Sequence, residues 1–271
     1  MTSNATISVV IPCFNSTATI ERALRSVEHQ TTKPHEVLVV DDASSDDTVS
    51  MIEQYARTSS LNIRVIKQSV NGGPSVARNA AWNEATCEFI AFLDADDQWH
   101  PQKLEFQVIA FGLFPDASMC TTGYVFKSQP SRWEPIENSG IAYQRNSFWK
   151  YAIANRSATP TVMFRNTVTL RFPTDQRHAE DYYLWLLCSK VLGPTIHIKQ
   201  LLTFCSNPAY GGLGQSGRFW AMQKAELSGF RKLKRMGHLS TLEFSLITCW
   251  SCAKFVIRMI DAKLLSFRKR P

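Results

Sequence analysis

Long apolar runs are missing from this 271-residue sequence. No stretch of 18 uncharged apolar residues occurs, so no segment reads as a membrane span. The opening segment, MTSNATISVVIPCF, has no basic region before its apolar run and meets Pro12 after six residues of that run, so it reads as a strand rather than a signal peptide. No G-x-G-x-x-G follows that strand, which excludes a dinucleotide-binding oxidoreductase. Glycine and proline, twelve each, are too few for a collagen-like or low-complexity chain. Cysteine is modest at seven, an odd number scattered through apolar runs, which suits a reducing compartment and buried thiols. Cys249-Trp-Ser-Cys252 is the only CxxC, and without a second pair it makes no zinc site.

What remains is ordinary globular composition, with 44% hydrophobic and 20% charged residues, enough chain for one large domain or a domain plus an appendage. The net charge of +7 is unevenly placed. From Arg218 onward there are twelve Lys/Arg against three Asp/Glu; the first 217 residues carry 18 against 20. A neutral body with a basic tail is not the footprint of a nucleic-acid binder, so no nucleic-acid partner is expected.

Apolar runs of strand length alternate with helical periodicity through the first hundred residues. TISVVIP, HEVLVVDD, NIRVIKQ and EFIAFLDADD read as buried strands, and helices are expected after Asn15-Ser16, from Ser44 to about Ala56, and from Pro74. This β-α-β-α-β-α-β order predicts an α/β fold, a mostly parallel sheet flanked by helices. Ligands bind beyond the carboxyl ends of such strands. Polar clusters fall at three of those ends: Pro12–Asn15, Asp41–Asp42 and Asp94–Asp97.

Further on, helices are expected at 101–114, 182–193, 218–236 and 240–268, and strands at 117–126, 159–165 and 194–205. Residues 127–158 read as polar and irregular, and the four glycines in 208–217 read as a flexible loop.

Leu93-Asp94-Ala95-Asp96-Asp97 crowds three carboxylates into four residues. Like charges this close need a cation or hydrogen bonds to offset them. Oxygen-only donors suit a hard ion, Mn2+ or Mg2+, completed by substrate phosphates. A solvated turn in which Asp97 caps the next helix is the competing reading.

VVIPCFN, VVDDASSDDT, NGGPSVARNAA and FLDADD, in this order and spacing, resemble the inverting family-2 glycosyltransferases of the GT-A fold. The resemblance covers residues 6–106 closely and extends loosely to about 190. It implies that Pro12, Phe14 and Asn15 lie under the nucleotide, that Asp42 accepts from the uracil imide, and that Arg78 approaches the same site. It further implies that Asp94 holds the ribose side and Asp96 the metal. Capping is the alternative for the Asp41–Asp42 pair, and a surface salt bridge is the alternative for Arg78.

His178-Ala-Glu180-Asp181 opens a strong helix and looks like the ED motif of the family. On that likeness Asp181 is the general base and Glu180 its supporting neighbour, with His178 a loop or orienting residue. An acidic helix start favoured by the helix dipole is the plainer alternative. Gln215-Ser-Gly-Arg218-Phe219-Trp220 nearly matches the QxxRW motif of processive synthases, but the tryptophan is displaced by one. One sugar per encounter is therefore expected, with Trp99, Gln215, Arg218 and Trp220 as candidate acceptor contacts. The segment 244–268 alternates apolar residues with Lys254, Arg258, Lys263 and Arg268, which suits an anionic membrane surface; a helix packed on the core with a solvated face is the alternative.

These readings combine into one expectation. Residues 1–217 form the GT-A domain, with a nucleotide-binding half at 1–106 and an acceptor half at 107–217, and 218–271 form a basic helical tail. The enzyme moves a hexose from a UDP-sugar to a lipid-linked glycan or a lipopolysaccharide or exopolysaccharide precursor, at the inner face of the cell membrane. A sugar-nucleotide nucleotidyltransferase is the runner-up, although VVIPCFNST has neither the glycine nor the cation of a phosphate loop. A membrane-associated scaffold is the non-enzymatic alternative.

Overall fold

The structure is a computed structural model. It describes residues 5–126, 133–155, 157–206 and 216–268; for 216–218 and 262–268 only the backbone is described. The strands β1 (Ile7–Cys13), β2 (Glu36–Asp41), β3 (Ile63–Lys67) and β4 (Phe89–Phe92) alternate with α1 (Ile20–Glu28), α2 (Thr48–Thr58) and α3 (Pro74–Glu84). After them come β5 (Gln98–Trp99), α4 (Lys103–Leu113), β6 (Met119–Phe126), β7 (Tyr143–Asn146), α5 (Phe148–Ile153) and β8 (Met163–Arg165). The chain continues through α6 (Glu180–Val191), β9 (Thr195–Cys205), α7 (Ser216–Arg235) and α8 (Thr241–Arg268).

All strands join one sheet in the order β3-β2-β1-β4-β8-β6-β9-β5, with β7 also paired to β9. The pairs among β3, β2, β1 and β4 are parallel, as the alternation predicts. Beyond β4 the sheet is mixed: β8 runs antiparallel to both neighbours, whereas β6 and β9 are parallel. The period-2 pattern explains how the sheet holds both layers. Val9, Ile11, Val37 and Val39 face a core with α1, α2 and α4, while Val10, Leu38 and Val40 face a second core.

That second core carries an aromatic cluster in which Trp82 stacks on Phe164 and meets Phe92 and Phe172 edge-on. Burying each such ring contributes roughly 1.5–3 kcal/mol. Helix α6 is buried along most of its length, because α5 and α7 pack on it and the Lys190–Glu243 ion pair ties it to α8. Phe230, Leu233, Leu239 and Ile247 of the basic segment belong to the same core. The segment is therefore packed on the body of the protein at least from Phe230 to Ile247.

Two short elements escape the periodicity. Helix α5 is six residues long, and β7 lies in a stretch read as irregular. Strand β9 is long enough to bond β7 on one part and β5 on another. The glycine-rich segment expected to be a loop lies outside the described residues apart from its last two positions, which begin α7.

Candidate active site

Two cavities open at the carboxyl ends of the parallel strands. The first, of about 860 Å³, is walled by the loops after β1, β2 and β4 and by the start of α3. The loop after β1 supplies Pro12, Phe14 and Asn15, and Phe14 is 48% exposed. Asn15 is held in place by its neighbours: its side-chain oxygen accepts from the Ser45 backbone N–H at 2.9 Å, and its own N–H donates to Ser44 Oγ at 2.9 Å.

Asp42, at the end of β2, is buried and already engaged. Its two oxygens accept the N–H groups of Gly72 and Gly73, each at 2.8 Å. This pins the Asn71-Gly72-Gly73 turn, where Gly73 has φ +84° and a Cβ on Gly72 would fall 2.8 Å from the Val76 side chain. A carboxylate has room for further donors, so this bonding leaves acceptor capacity toward the cavity. The same turn starts α3 with Pro74 and so aims Arg78.

Arg78 is 5% exposed and joins the two halves of the protein. Its NH2 donates to Asp94 Oδ1 at 2.6 Å, and its NH1 lies 3.8 Å from Glu180 Oε1. Its guanidinium packs over Phe172 at 5.3 Å. The next residue, Asn79, bonds both backbone groups of Phe172, at 2.8 and 3.0 Å. The loop that leads into Glu180 is thus fastened to α3 by two consecutive side chains. It places Arg177 and His178 on the first cavity.

The second cavity, of about 510 Å³, shares Arg78, Asp94 and Asp96 with the first. Glu180 and Asp181 line it at the start of α6, directly after Ala179, whose φ is +51°. A non-glycine residue in this region is strained, and Asn15 and Ala43, the other two among the described residues, also border the site. Burial and the Glu180 charge push the Asp181 carboxyl up to about 7, against the opposing pull of Arg78. A carboxylate poised near neutrality suits proton abstraction.

Asp97 does not cap a helix. Its carboxylate accepts the Ser206 N–H at 2.9 Å, and burial with the Asp94 and Asp96 charges pushes it up to about 8. Asp94 and Asp96 beside the single Arg78 guanidinium make a site whose negative charge a divalent cation would offset. No group of three or more His, Cys, Asp or Glu side chains converges into a metal cage among the described residues. Asp96, set on the wall common to both cavities, fits the other arrangement for a hard ion, in which one or two carboxylates are completed by substrate oxygens.

The acceptor expectations fare differently. Trp99 is 1% exposed; its indole donates to the Pro160 carbonyl at 2.7 Å, and Lys103 Nζ sits 4.0 Å from the ring. It is a core side chain, because β5 turns it inward under the sheet, and it lines neither of these cavities. Trp220 packs edge-on against Phe255 of α8 and lines neither cavity. Gln215 lies outside the described residues, and the side chain of Arg218 is among those not described. In their place stand Tyr124, Asn155, Met222, Glu226, Lys254 and Arg258, contributed by β6, the segment after α5, α7 and α8. Lys254 and Arg258, read from helical spacing as part of a membrane-facing or solvated surface, are half-buried and line this cavity. Gly123 helps to shape this wall: at the register shift between β6 and β9 a Cβ would fall 2.7 Å from the Gln200 carbonyl.

The model of the family described as Glycosyl transferase family 2 matches residues 8–170. The chain belongs to glycosyltransferase family 2. It is 33% identical over 180 residues to the UDP-Glc:alpha-D-GlcNAc-diphosphoundecaprenol beta-1,3-glucosyltransferase WfgD of Escherichia coli, which covers 66% of this chain and 68% of that protein. It spans about half or less of several other curated relatives. Among solved structures it is similar to S. aureus TarS in complex with UDP-GlcNAc, with a TM-score of 0.66 at 20% identity, covering 93% of this chain and 71% of that one. A mannosyltransferase of Pyrobaculum calidifontis, in complex with GDP-Man and Mn2+, aligns with a TM-score of 0.64 at 18% identity, over 99% of this chain and 82% of that one. These likenesses establish the GT-A fold, and family membership makes this glycosyltransferase an enzyme. Among its described residues no helix is long and apolar enough to cross a membrane.

Proposed function

We propose that this glycosyltransferase is inverting and metal-dependent, and that it moves a hexose from a UDP-sugar to a hydroxyl of a lipid-linked oligosaccharide or a lipopolysaccharide or exopolysaccharide precursor, forming a β-linkage. One observation carries the reading. The cavity walled by Phe14 and Asp42 and the cavity holding Asp181 meet at Arg78, Asp94 and Asp96. A donor lying in the first presents its anomeric carbon toward the second.

The nucleotide base lies beside Pro12, Phe14 and Asn15, where Asp42 accepts from its imide. Asp94, oriented by Arg78, takes the ribose side, and Asp96 would hold Mn2+ or Mg2+. When bound, the ion neutralises charge on the departing diphosphate. Arg177 and His178, on the same cavity, orient the diphosphate side. Asp181 takes the proton from the acceptor hydroxyl, and Glu180 keeps the Asp181 carboxyl basic enough to do so. The hydroxyl oxygen forms its bond to the anomeric carbon as the bond to the phosphate oxygen breaks. A single displacement inverts an α-linked donor to a β-product, with no glycosyl-enzyme intermediate.

The membrane surface enters through α8. One face of this helix is buried at Ile247, Ser251 and Phe255, and the other exposes Leu246, Trp250, Val256, Ile257 and Ile260. An apolar face on a segment rich in Lys and Arg supports peripheral binding to an anionic bilayer at its cytoplasmic face.

The test is nucleoside-diphosphate release, UDP or GDP according to the donor, by the purified protein with Mn2+ and a GlcNAc-diphospholipid acceptor. UDP-glucose, UDP-galactose, UDP-N-acetylglucosamine and GDP-mannose are compared as donors. Acceptor-dependent turnover of one UDP-sugar, lost on chelation, is expected. Turnover of GDP-mannose alone would overturn the donor assignment, and undiminished turnover with chelator would overturn the metal.

A further inference from the structure

The Asp181 cavity is electrically lopsided. The loop after β4 and the start of α6 give it Asp94, Asp96, Asp97, Glu180 and Asp181, with Arg78 paired to Asp94 and 3.8 Å from Glu180. Helices α7 and α8 bring Glu226, Lys254 and Arg258 to the same cavity. Neutral side chains, Tyr124, Phe126 and Asn155 among them, also line it. Lys254 and Arg258 are four residues apart on α8 and so share one helix face.

Neither cation is fully used within the protein. The Lys254 side chain is only 15% exposed, yet its Nζ stands 3.6 Å from Glu226 Oε1, beyond hydrogen-bond distance. That carboxylate oxygen is buried without a hydrogen-bond partner. Arg258 forms no ion pair among the described residues. Two cations and one carboxylate leave a net positive wall, half-buried, where a charge-assisted bond is worth more than at the surface. Burial accordingly pulls the Lys254 ammonium below its ordinary value, opposed by Glu226.

We infer that Lys254 and Arg258 form a site for the diphosphate of a lipid-diphosphate acceptor, so that the C-terminal helix recognises the acceptor's anionic link. This rests on the acceptor reading proposed above and adds the residues that read it. The charge pattern orients the ligand: a diphosphate is repelled by the carboxylates of the β4 loop and drawn to the α8 cations, which leaves the sugar hydroxyl for Asp181. The exposed Val256, Ile257 and Ile260 lie on the same helix, so a lipid chain leaving the cavity along α8 meets an apolar surface.

The experiment measures binding of farnesyl diphosphate and of farnesol to the full chain by calorimetry, with UDP titrated separately. The wild type is expected to prefer farnesyl diphosphate to farnesol by at least about tenfold, and K254Q and R258Q each to lose about tenfold in affinity for the diphosphate. UDP affinity stays unchanged in both, which also shows that they fold. E226Q, which frees Lys254 and removes the nearby anion, binds farnesyl diphosphate more tightly. K224Q, an exposed α7 lysine with the same charge change, leaves affinity as it was. Equal binding of farnesol and its diphosphate, wild-type affinity in K254Q and R258Q, an equal loss in K224Q, or weaker binding in E226Q would each overturn the proposal. A wild type that binds farnesyl diphosphate through Lys254 but does not bind UDP would sink the donor reading and leave this site standing.

Discussion

The first cavity takes most of its walls from loops that each follow a parallel strand, so residues 12–19, 42, 71–78 and 94–96 supply nearly all of it. The second takes its walls from residues as far apart as 78 and 258, on β6, the segment after α5, α6, α7 and α8. Topology explains the contrast. Parallel strands must be joined by crossovers, and their loops gather at one sheet edge whatever the side chains are. The second cavity exists only after helices from the other half have packed on the sheet. Its chemistry is free to differ while the donor end stays the same. Arg78 belongs to both, and the sharpest tests of this division act at or near it.

The largest effect is expected at Asp181. Asp181→Asn should reduce kcat by about 10³-fold or more with UDP affinity unchanged, since the proposed base lines only the second cavity. A parallel loss of UDP binding, read by calorimetry, would merge the two cavities into one functional unit. The raised Asp181 carboxyl adds a pH signature: wild-type kcat/KM should fall as pH drops through about 7, where the base becomes protonated. It also has a stability cost of known sign. Between the ordinary carboxylate value and about 7 the native chain holds a proton that the unfolded chain has lost, so stability falls as pH rises through that window. The Asn variant escapes this and should melt higher at pH 8, by the few degrees that about 1–2 kcal/mol represents.

Arg78→Gln comes next. It leaves Asp94 and Glu180 facing each other without their shared cation, so donor KM should rise and kcat should fall together, each by roughly ten- to a hundredfold. A change confined to one parameter would show that the arginine serves a single cavity. Ile257→Glu with Ile260→Glu should weaken sedimentation with anionic liposomes several-fold while sparing turnover of a water-soluble acceptor. Substitution is the right probe there. Deleting residues 240–271 would also strip Ile247 and Phe255 from their packing and unfold the body with the tail.

These predictions separate what one dimension of pattern can carry from what it cannot. Asp42, Asp94 and Asp96 end strands whose apolar runs are visible by eye, and Asp181 opens a helix just as visible. Trp99 was open to misreading because Asp-Asp-Gln-Trp-His looks like a polar loop. Two residues of it form β5, and the pairing of Gln98 with Phe204, across a hundred residues, turns the indole inward. Lys254 and Arg258 alternate with apolar residues in a way that fits a helix with a wet cationic face. Which face is wet depends on α7 and on the core that Phe230 and Ile247 share, and no local window contains that. Strand β7 and helix α5 were invisible for the same reason: β9 pairs with one, α6 covers the other, and neither is long enough to declare a period.

The smallest effect tests whether the donor cavity is as rigid as its local construction implies. Ala43 follows Asp42 with φ +63°, a conformation that glycine adopts freely and alanine does not. Ala43→Gly should relieve about 0.5–1 kcal/mol of strain and raise the melting temperature by roughly 1–3 °C, partly offset by the greater freedom of the unfolded glycine. The informative reading is UDP affinity. Ser44 donates its N–H to Asp41 at 3.2 Å and Ser45 donates to Asn15 at 2.9 Å, so the strained turn sets the position of two neighbours of the base. Weaker UDP binding in a more stable variant would mean that the strain holds the cavity in its binding shape. Unchanged binding would mean that the hydrogen bonds of Asp42 to Gly72 and Gly73 suffice, and that the donor cavity owes its shape to the sheet edge alone.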